Sequence, residues 1–518
     1  MNAIELSIFS NRIESVCDEM GAVLCRAAFS PNIKDRLDFS CAIFDLAGEL
    51  SAQAAHIPVH LGSMAFAMRD VIKLFDWHMG DMVVFNDPYL GGTHLPDVTL
   101  VSPVFLDQEL IGFVANRAHH ADIGADAPGS MPLSTSLTQE GVLITPQKIM
   151  QGGELRATFD ELMSKLNHSI ESTGDFNAQI SANLRGLKRL EEVATGYGKK
   201  SYLAALEKLN QYGERLMKQL LATIPSGKYH FLDLMDNDGL GANNIPIQVS
   251  LIIEKDHVIA DFKGTHKQVE GNINCPLSVA AAAVYYAFRC LMPVNMPACS
   301  GVYRLIDIQA PKGCLVNAIK PAAVAAGNVE TSTRMVDVVL GALAQAIPEK
   351  IPAASHGSMN NVAMGQLKTD SESGWNYYET IGGGMGAGRH NDGVSAVQTH
   401  MTNTLNTPIE SLEMHYPLRL VQYTIRDNLG GEGLHSGGAG LCREFEFLAQ
   451  TQLTLLTERR KNPPWGVGGA ENGALGVNSL NGKLLPAKIS LNVSTGDRLK
   501  VETPGGGGWG VKEPLIKQ

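Results

Sequence analysis

The segment that most restricts the fold lies between residues 80 and 120, where short apolar runs alternate with polar turns. Residues 82–85 predict a buried strand, and residues 86–93 form a loop rich in turn-forming side chains. Residues 98–105 and 110–115 predict the two strands of a hairpin. We therefore expect the loop and the end of the second hairpin strand to lie side by side.

Periodic segments elsewhere predict helices and further strands. Apolar spacing predicts helices over residues 3–28, 154–222 and 330–347. Residues 38–45 and 228–262 predict strands instead. This pattern predicts an α+β fold with mixed or antiparallel sheets, a helical middle segment and a glycine-rich, strand-containing C-terminal part.

Two changes along the chain suggest domain boundaries. A Pro-Ser-Gly sequence at residue 225 ends the helical stretch, and the chain becomes glycine-rich after residue 350. We therefore predict three regions. They are a candidate-site region over residues 1–225, an α/β region over 226–350 and a glycine-rich region over 351–518.

Charge and hydropathy exclude several classes of protein. The net charge of −11 and the lack of a long Lys/Arg run argue against a nucleic-acid partner. The most apolar stretch, residues 279–288, is far shorter than the roughly 20 residues that cross a membrane. The eight cysteines are scattered without a CxxC pair, and the N-terminus lacks the order of a signal peptide. These features predict a cytoplasmic protein with reduced thiols.

The clearest chemical pattern combines two histidines and one aspartate. His94 and Asp97 lie three residues apart in the turn-rich segment, and His119 follows at the expected end of the hairpin. Two imidazoles and a carboxylate form a mixed site suited to one divalent metal ion, either Zn, Mn or Fe. Ordinary hydrogen-bonded histidines are the alternative explanation.

Other candidates carry a weaker signal. Asp38, at the start of a predicted strand, could complete the metal site or bind substrate, or it could be a solvated carboxylate. His56 and His60 flank Pro58 and could line the same cavity, although a structural role explains each of them better. Cys275 precedes a predicted helix and is a conceivable nucleophile, but a packed cysteine is the simpler interpretation.

A nucleotide site within this chain is not supported. No stretch fits the phosphate-binding pattern GxxxxGK[ST]. The glycine-rich residues 382–388 could bind an anion through backbone N–H groups, but close backbone packing explains them equally well. No GxSxG motif marks a serine nucleophile either.

Several longer strings of residues resemble one known family, that of hydantoinase B and oxoprolinase. The first is Asn-Asp-Pro-Tyr-Leu-Gly-Gly-Thr-His-Leu-Pro-Asp at residues 86–97, and the second is Ala-His-His-Ala-Asp-Ile-Gly at 118–124. Further matching strings occur at residues 38–41, 140–141, 327–332, 402–410, 458–459 and 503–508. The resemblance covers essentially the whole chain.

The resemblance implies a two-component enzyme in a hetero-oligomer. A hydantoinase A-type subunit would bind ATP and phosphorylate the carbonyl oxygen of a small cyclic amide such as a hydantoin, a lactam or 5-oxoproline. This chain would be the B-type subunit, which completes the hydrolysis at a metal held by His94, Asp97 and His119, with Asp38 as a weaker ligand. Many relatives have Gly-Gly after the second string, whereas here Ala125 and Asp126 follow Gly124, which leaves the substrate open.

The resemblance also leaves alternatives for the reaction. Asp38 or His120 could act as the base that helps deliver hydroxide, although His120 should face away from the metal because adjacent strand residues point to opposite faces. A subunit of an ATP-dependent ketone carboxylase of the acetone or acetophenone type is the main alternative function. A non-enzymatic scaffold with structural histidines is the second alternative.

Overall fold

The computed structural model describes residues 1–55, 57–166, 169–366, 374–427 and 429–511. The α-helices of this part of the chain are α1 (Ala3–Ala27), α2 (Pro31–Lys34), α3 (Pro58–Val71), α4 (Ala157–Met163), α5 (Ser169–Tyr197), α6 (Lys199–Ala222), α7 (Leu277–Arg289), α8 (Ser332–Ala346) and α9 (Ile409–His415).

The first half of the chain contains the strands β1 (Phe39–Phe44), β2 (Leu50–Ala55), β3 (Met82–Phe85), β4 (Asp97–Leu106), β5 (Glu109–His119), β6 (Gln147–Gln151), β7 (Glu154–Leu155), β8 (Gly227–Asn237), β9 (Asn243–Ile253) and β10 (Val258–Asp261). The second half contains β11 (Ile306–Gln309), β12 (Asn361–Gln366), β13 (Trp375–Glu379), β14 (Leu418–Ile425), β15 (Leu441–Phe447), β16 (Thr451–Leu456), β17 (Val477–Leu480), β18 (Lys483–Leu485), β19 (Lys488–Val493) and β20 (Arg498–Glu502).

A seven-stranded sheet carries the candidate site. Its strand order is β2-β1-β5-β4-β3-β6-β7, and every neighbouring pair is antiparallel. Successive side chains of β3 enter two different cores, as strand geometry requires. Met82 and Val84 pack on the side of α4 and α5, whereas Val83 and Phe85 pack on the side of α3. Because helices cover both faces, all four residues of β3 are apolar and buried.

Three smaller sheets complete the fold. Their strand orders are β11-β10-β9-β8, β13-β12-β16-β19 and β14-β15-β20-β17-β18. Among the described strands of these sheets, β10 and β11 pair in parallel and the remaining pairs are antiparallel. The predicted α+β fold with mixed and antiparallel sheets is therefore confirmed.

The main apolar core draws residues from all three predicted regions of the chain. Phe9 of α1, Leu251 of β9 and Met359, just before β12, all belong to it. The three-region division stays a prediction. Within the described ranges, no helix is both long enough and apolar enough to span a membrane.

The glycine-rich segments pack backbone against backbone. A Cβ atom at Gly384 would lie 1.9 Å from the carbonyl oxygen of Gly438, and one at Gly505 would lie 2.0 Å from that of Leu429. Both distances are far below van der Waals contact, so only glycine fits. Close packing therefore explains these two positions of the glycine-rich loops.

Candidate metal centre

Asp97 and His119 face each other across the hairpin of β4 and β5. Asp97 begins β4, His119 ends β5, and the antiparallel register pairs the two residues directly. Directly paired residues have Cβ atoms roughly 4.5–5.5 Å apart, so their side chains can share a ligand. His94 lies in the preceding loop, and its carbonyl oxygen accepts the N–H of Asp97 at 3.2 Å. The hairpin and the loop thus lie side by side, as the sequence predicted.

The three side chains converge on one carboxylate oxygen. Nε2 of His94 lies 3.2 Å from Oδ1 of Asp97, and Nδ1 of His119 lies 3.3 Å from the same oxygen. One potential ligand atom from each residue lies within 4.8 Å of the other two, and all three residues are buried. Two imidazoles and one carboxylate suit Zn, Mn or Fe(II) and leave further coordination positions open.

A backbone carbonyl contacts the imidazole nitrogen of His94 that faces away from Asp97, and this contact fixes the orientation of the ring. Its Nδ1 lies 3.2 Å from the carbonyl oxygen of Ala325. Donation of an Nδ1 proton to this carbonyl leaves the lone pair of Nε2 directed toward Asp97, as metal-binding histidines require. The segment that carries the carbonyl is itself held, because Glu140 accepts the backbone N–H groups of Val324 and Ala325, each at 2.9 Å.

The second oxygen of Asp97 is held by neighbouring side chains. The hydroxyl of Thr93 donates to Oδ2, and Nε2 of His60 lies 3.3 Å from it. Nδ1 of His60 lies 3.0 Å from the hydroxyl oxygen of Ser40. Nδ2 of Asn328 lies 3.4 Å from Oδ2. Asp97 therefore presents Oδ1 to the two histidines while Oδ2 anchors the carboxylate.

An aromatic ring fixes the plane of His119. The ring of Tyr378 stacks on the imidazole with centroids 5.0 Å apart and planes 13° apart. The Tyr378 hydroxyl donates to Oδ1 of Asn361 at 2.6 Å, and the amide of Asn361 donates to Glu330 at 2.7 Å. Burial raises the pKa of Glu330 to about 8, with smaller and opposed effects of Lys488 and Glu458.

Three buried polar atoms around the cluster lack a hydrogen-bond partner among the described residues. They are Oδ1 of Asp97, Nε2 of His119 and Oδ1 of Asn328. Asn328 belongs to a π-helical turn, Gly327–Thr331, directly before α8, and π-helical turns are rare and concentrate at functional sites. Unpartnered buried polar atoms are destabilising, and a bound cation would satisfy Oδ1 of Asp97, the oxygen on which the two histidines converge. The residues present therefore fit a divalent metal.

The electrostatics of the cluster also favour a cation. Burial would raise the pKa of Asp97, but His94 and His60 lower it well below its ordinary value. Burial would lower the pKa of His94, yet the neighbouring Asp97 raises it. For His119, burial prevails and lowers the pKa. A carboxylate that stays ionised beside a neutral imidazole is a suitable ligand set for a divalent ion.

A small cavity of about 20 Å³ adjoins the cluster. This volume holds about one water molecule or ion. Its lining includes Asp38, Asp97, His60 and His119, together with apolar side chains and three threonines. The hydroxyls come from Thr380, Thr402 and Thr404. A larger cavity of about 890 Å³ lies between α1 and α6 and shares no lining residue with it, so the chemistry points to the smaller one.

The structure places the two candidate bases, Asp38 and His120, in different surroundings. Asp38 lines the cavity, and its carboxylate makes no hydrogen bond or ion pair with another described residue. It lies outside the compact ligand cluster. His120 points toward α5 instead, with Nε2 2.9 Å from Oε1 of Gln179 and its ring 4.4 Å from that of Phe176. The structure therefore brings Asp38 to the cavity and does not bring His120 there.

The structure gives a different result for each of the remaining candidates, His60, His56 and Cys275. His60 lines the cavity and contacts Asp97 at 3.3 Å, and whether its role is more than structural stays a prediction. His56 lies outside the described residues. Cys275 is buried, and burial raises the pKa of its thiol well above the ordinary value, which is unfavourable for a nucleophile.

Sequence reasoning missed several residues that shape the site. Thr93, Glu140 and Asn328 lie within the family-like strings, but nothing in their spacing indicated a contact with the ligand cluster. Tyr378 lies in none of the strings, and only the fold brings its ring to His119.

Comparisons with known proteins extend over nearly the whole chain. The family model described as hydantoinase B/oxoprolinase matches residues 2–512. The chain is 38% identical to 5-oxoprolinase 1 of Arabidopsis thaliana over 98% of its own length, but it spans only 42% of that relative. It is 32% identical to a putative B-type subunit of a D-/L-hydantoinase from a Pseudomonas species, covering 100% of this chain and 91% of the relative.

Two solved structures share the fold. ATP-dependent caprolactamase from Pseudomonas jessenii superposes with a TM-score of 0.91 at 28% identity, covering 99% of this chain and 92% of that chain. Acetone carboxylase superposes with a TM-score of 0.86 at 18% identity, covering 99% and 76%, a likeness that shows the fold alone. The family match over nearly the whole length decides the classification, and the chain belongs to the hydantoinase B/oxoprolinase family.

Proposed function

We propose that this chain is the metal-containing catalytic subunit of an ATP-dependent cyclic amide hydrolase. The observation that carries the proposal is the convergence of His94 and His119 on one oxygen of Asp97, beside a cavity that Asp38 lines. Relatives named as a 5-oxoprolinase and as a hydantoinase component support a substrate with a cyclic amide bond. The named caprolactamase supports the dependence on ATP.

Amide chemistry explains why two subunits would be needed. An amide carbon is a poor electrophile, and phosphorylation of the carbonyl oxygen activates it. The chain has no GxxxxGK[ST] motif, so we assign ATP binding and phosphorylation to a hydantoinase A-type partner subunit in a hetero-oligomer. The 5-oxoprolinase relative is more than twice as long as this chain, which supports the need for a second component.

One divalent metal ion, either Zn, Mn or Fe, would be held by His94, Asp97 and His119. Such an ion, when bound, polarises a carbonyl or phosphoryl oxygen and lowers the pKa of bound water. His60 and Thr93 keep the Asp97 carboxylate in place through Oδ2. The carbonyl of Ala325 keeps the Nε2 lone pair of His94 directed into the site.

Asp38 is the residue that we assign as general base. Its carboxylate lines the cavity and has no described hydrogen-bond partner, so it can accept a proton from water as the water attacks the activated carbon. The C–N bond of the ring then opens as the ring nitrogen takes up the proton from Asp38 and leaves as an amine. A second water hydrolyses the resulting acyl phosphate to a carboxylate and free phosphate. His120 takes no part in this scheme, because its ring contacts Gln179 and Phe176.

The test is ATP hydrolysis that depends on a cyclic amide. The chain is purified together with its A-type partner, and phosphate release is measured with a panel of hydantoins, lactams and 5-oxoproline. We expect at least one cyclic amide to be opened with consumption of ATP, without bicarbonate. His94→Ala should abolish ring opening, whereas His78→Ala, at an exposed histidine, should leave it unchanged.

A strict bicarbonate requirement with a ketone substrate would replace the hydrolase with the carboxylase. Full ring-opening activity of the His94→Ala complex would remove the proposed metal centre from the reaction.

A further inference from the structure

Strand β14 forms one edge of the five-stranded sheet and pairs with β15 alone among the described strands. Its residues 420–425 read Leu-Val-Gln-Tyr-Thr-Ile and include no charged side chain. The side chains of Val421, Tyr423 and Ile425 are exposed to 40, 40 and 54%. Edge strands are usually protected by charge or by shortness, and β18, at the opposite edge, has three residues and begins with Lys483. The edge of β14 lacks both kinds of protection.

The exposed side chains of Tyr423 and Ile425 continue a buried face of the sheet. The antiparallel register places Tyr423 opposite Arg443 and Ile425 opposite Leu441. Both of these β15 residues are buried, and Leu441 belongs to the apolar core beneath the sheet. Directly paired residues project from the same face, so Tyr423 and Ile425 lie on that face as well. They stay exposed because the sheet ends at β14, and one more strand would extend the buried face over them.

The backbone of β14 presents hydrogen-bonding groups along the same edge. The N–H of Leu441 donates to Oγ1 of Thr503 at 2.7 Å, and the carbonyl oxygen of Leu441 accepts the N–H of Thr503 at 2.7 Å. Both groups of Leu441 thus point away from β14. Because bonded and non-bonded pairs alternate in an antiparallel ladder, Ile425 and Tyr423 direct their N–H and C=O groups away from β15. Thr424, between them, directs its groups toward β15.

The first half of β14 is protected, which limits the open edge to a short segment. The N–H of Leu420 donates to Oε1 of Glu413 in α9 at 2.9 Å. The register with β15 shifts between Leu420 and Gln422, as in a β-bulge. A capping carboxylate and a bulge are both common protections of an edge. Neither of them extends to residues 423–425, so a partner strand has three residues to pair with.

We propose that this edge pairs with the same edge of a second copy of the chain, antiparallel about a two-fold axis. Tyr423 would lie opposite Ile425 of the second copy, and Ile425 opposite Tyr423 of the second copy. Each copy then pairs both of its N–H and both of its C=O groups at the open edge. The two sheets would join into one continuous sheet of ten strands. The inference concerns assembly and does not depend on the proposed reaction.

The side chains favour this register over its neighbours. It forms two pairs of an aromatic and a β-branched residue, and it places Thr424 opposite Thr424 of the second copy on the axis. Both combinations are favourable across antiparallel strands. A shift by one residue would oppose outward-directed groups to groups that bond β15. A register centred on Tyr423 would place Ile425 opposite Val421, at the bulge. The open edge of this chain is therefore complementary to itself.

The proposed contact is connected with the small cavity by printed hydrogen bonds of one side chain. The hydroxyl of Tyr423 donates to Oδ1 of Asn406 at 2.9 Å, and Nδ2 of Asn406 donates to the carbonyl oxygen of Thr380 at 3.0 Å. Thr380 belongs to the cavity lining. A second copy packed on Tyr423 would therefore adjoin the residues that support the candidate site.

The first test is the mass of the particle in solution, measured by light scattering on the full chain with and without its A-type partner. We expect two copies of the 55.6 kDa chain in each particle. Ile425→Lys places a charge on the open edge and removes the pairing with Tyr423, so its particles should contain one copy. Leu484→Lys, at an exposed position of the opposite edge strand, is the matched control and should retain two copies.

A cross-link tests the register itself. The axis places Thr424 opposite its own copy in a non-hydrogen-bonded pair, where the Cα atoms lie about 4.5 Å apart and a disulfide can form. Thr424→Cys should therefore give a covalent dimer on mild oxidation. The variant is made together with Cys290→Ser, because Cys290 is exposed and could cross-link by itself. Leu484→Cys in the same background should stay uncross-linked.

Three results would overturn the inference. The first is one copy of the wild-type chain per particle. The second is two copies that persist in Ile425→Lys while Thr424→Cys forms no cross-link, since the contact would then lie elsewhere. The third is loss of the A-type partner from Ile425→Lys, which would assign the edge to that subunit. Ring opening that depends on ATP is measured separately, and its absence would overturn the proposed function without affecting the mass or the cross-link.

Discussion

Asp97 and His119 are direct cross-strand partners, and the imidazole Nδ1 lies 3.3 Å from Oδ1 of the carboxylate. The hairpin between them therefore determines where this half of the ligand cluster forms. His94 completes the cluster from the loop that precedes β4. The strand register sets the spacing of Asp97 and His119, so these two members of the cluster belong to the sheet, whereas His94 reaches them from the loop.

The two adjacent histidines should respond differently to substitution. His119→Ala should abolish metal binding, because it removes a proposed ligand. His120→Ala should retain the metal and lower the free energy of unfolding by about 1–3 kcal/mol, since Gln179 loses its buried partner. Metal content and urea unfolding distinguish the two results. Loss of metal in His120→Ala with an intact fold would contradict the assignment.

Glu140 should control metal affinity without touching the metal. Glu140→Gln weakens the hold on Val324 and Ala325, and so loosens the carbonyl that orients His94. We expect metal affinity to fall by about 10-fold or more, as is typical for residues that orient metal ligands. Glu161→Gln, at an exposed glutamate, is the matched control. Titration with a competing chelator measures both, and equal affinities would refute the role of Glu140.

Asp38 should affect catalysis more than metal binding. Asp38→Asn keeps the shape of the side chain but removes the base, so kcat should fall by about 10²–10⁴-fold. The metal content should remain that of the wild type, because Asp38 lies outside the compact ligand cluster. Loss of the metal together with activity would identify Asp38 as a ligand instead.

Glu330 should make the stability of the chain depend on pH. Burial raises its pKa from 4.5 to about 8, so the native state retains a proton that the unfolded chain releases above about pH 4.5. The contribution of Glu330 to stability is therefore greatest below that pH and decreases as the pH rises toward 8. Glu330→Gln mimics the protonated form and should remove this decrease. Unfolding free energies at pH 5, 7 and 9 would show it; parallel curves for both proteins would contradict it.

The sequence predicted those parts of the site that are formed by residues close to one another along the chain. Apolar alternation located β3, β4 and β5, and the turn-rich residues between them placed His94 and Asp97 opposite the end of β5. The same alternation predicted that His120 would point away from the metal, and its contacts on the side of α5 agree.

The spacing of apolar and polar residues could not predict the long-range contacts around the site. Tyr378 and Arg36 lie more than 300 residues apart, and tertiary packing alone brings the guanidinium onto the ring. Asn328 reaches Asp97 through a π-helical turn that interrupts the ordinary helical period, so apolar spacing carries no sign of it. The cavity lining joins strands, loops and a helix from distant parts of the chain, so the sequence patterns could not predict which residues line it.

The most direct measurement is elemental analysis of the wild-type chain, purified with its A-type partner and without chelators, beside His94→Ala. We predict about one Zn, Mn or Fe ion per wild-type chain and none in the variant, since loss of one of three ligands leaves too few donors. A metal-free wild type that still opens the ring in the ATP-dependent assay would contradict the account.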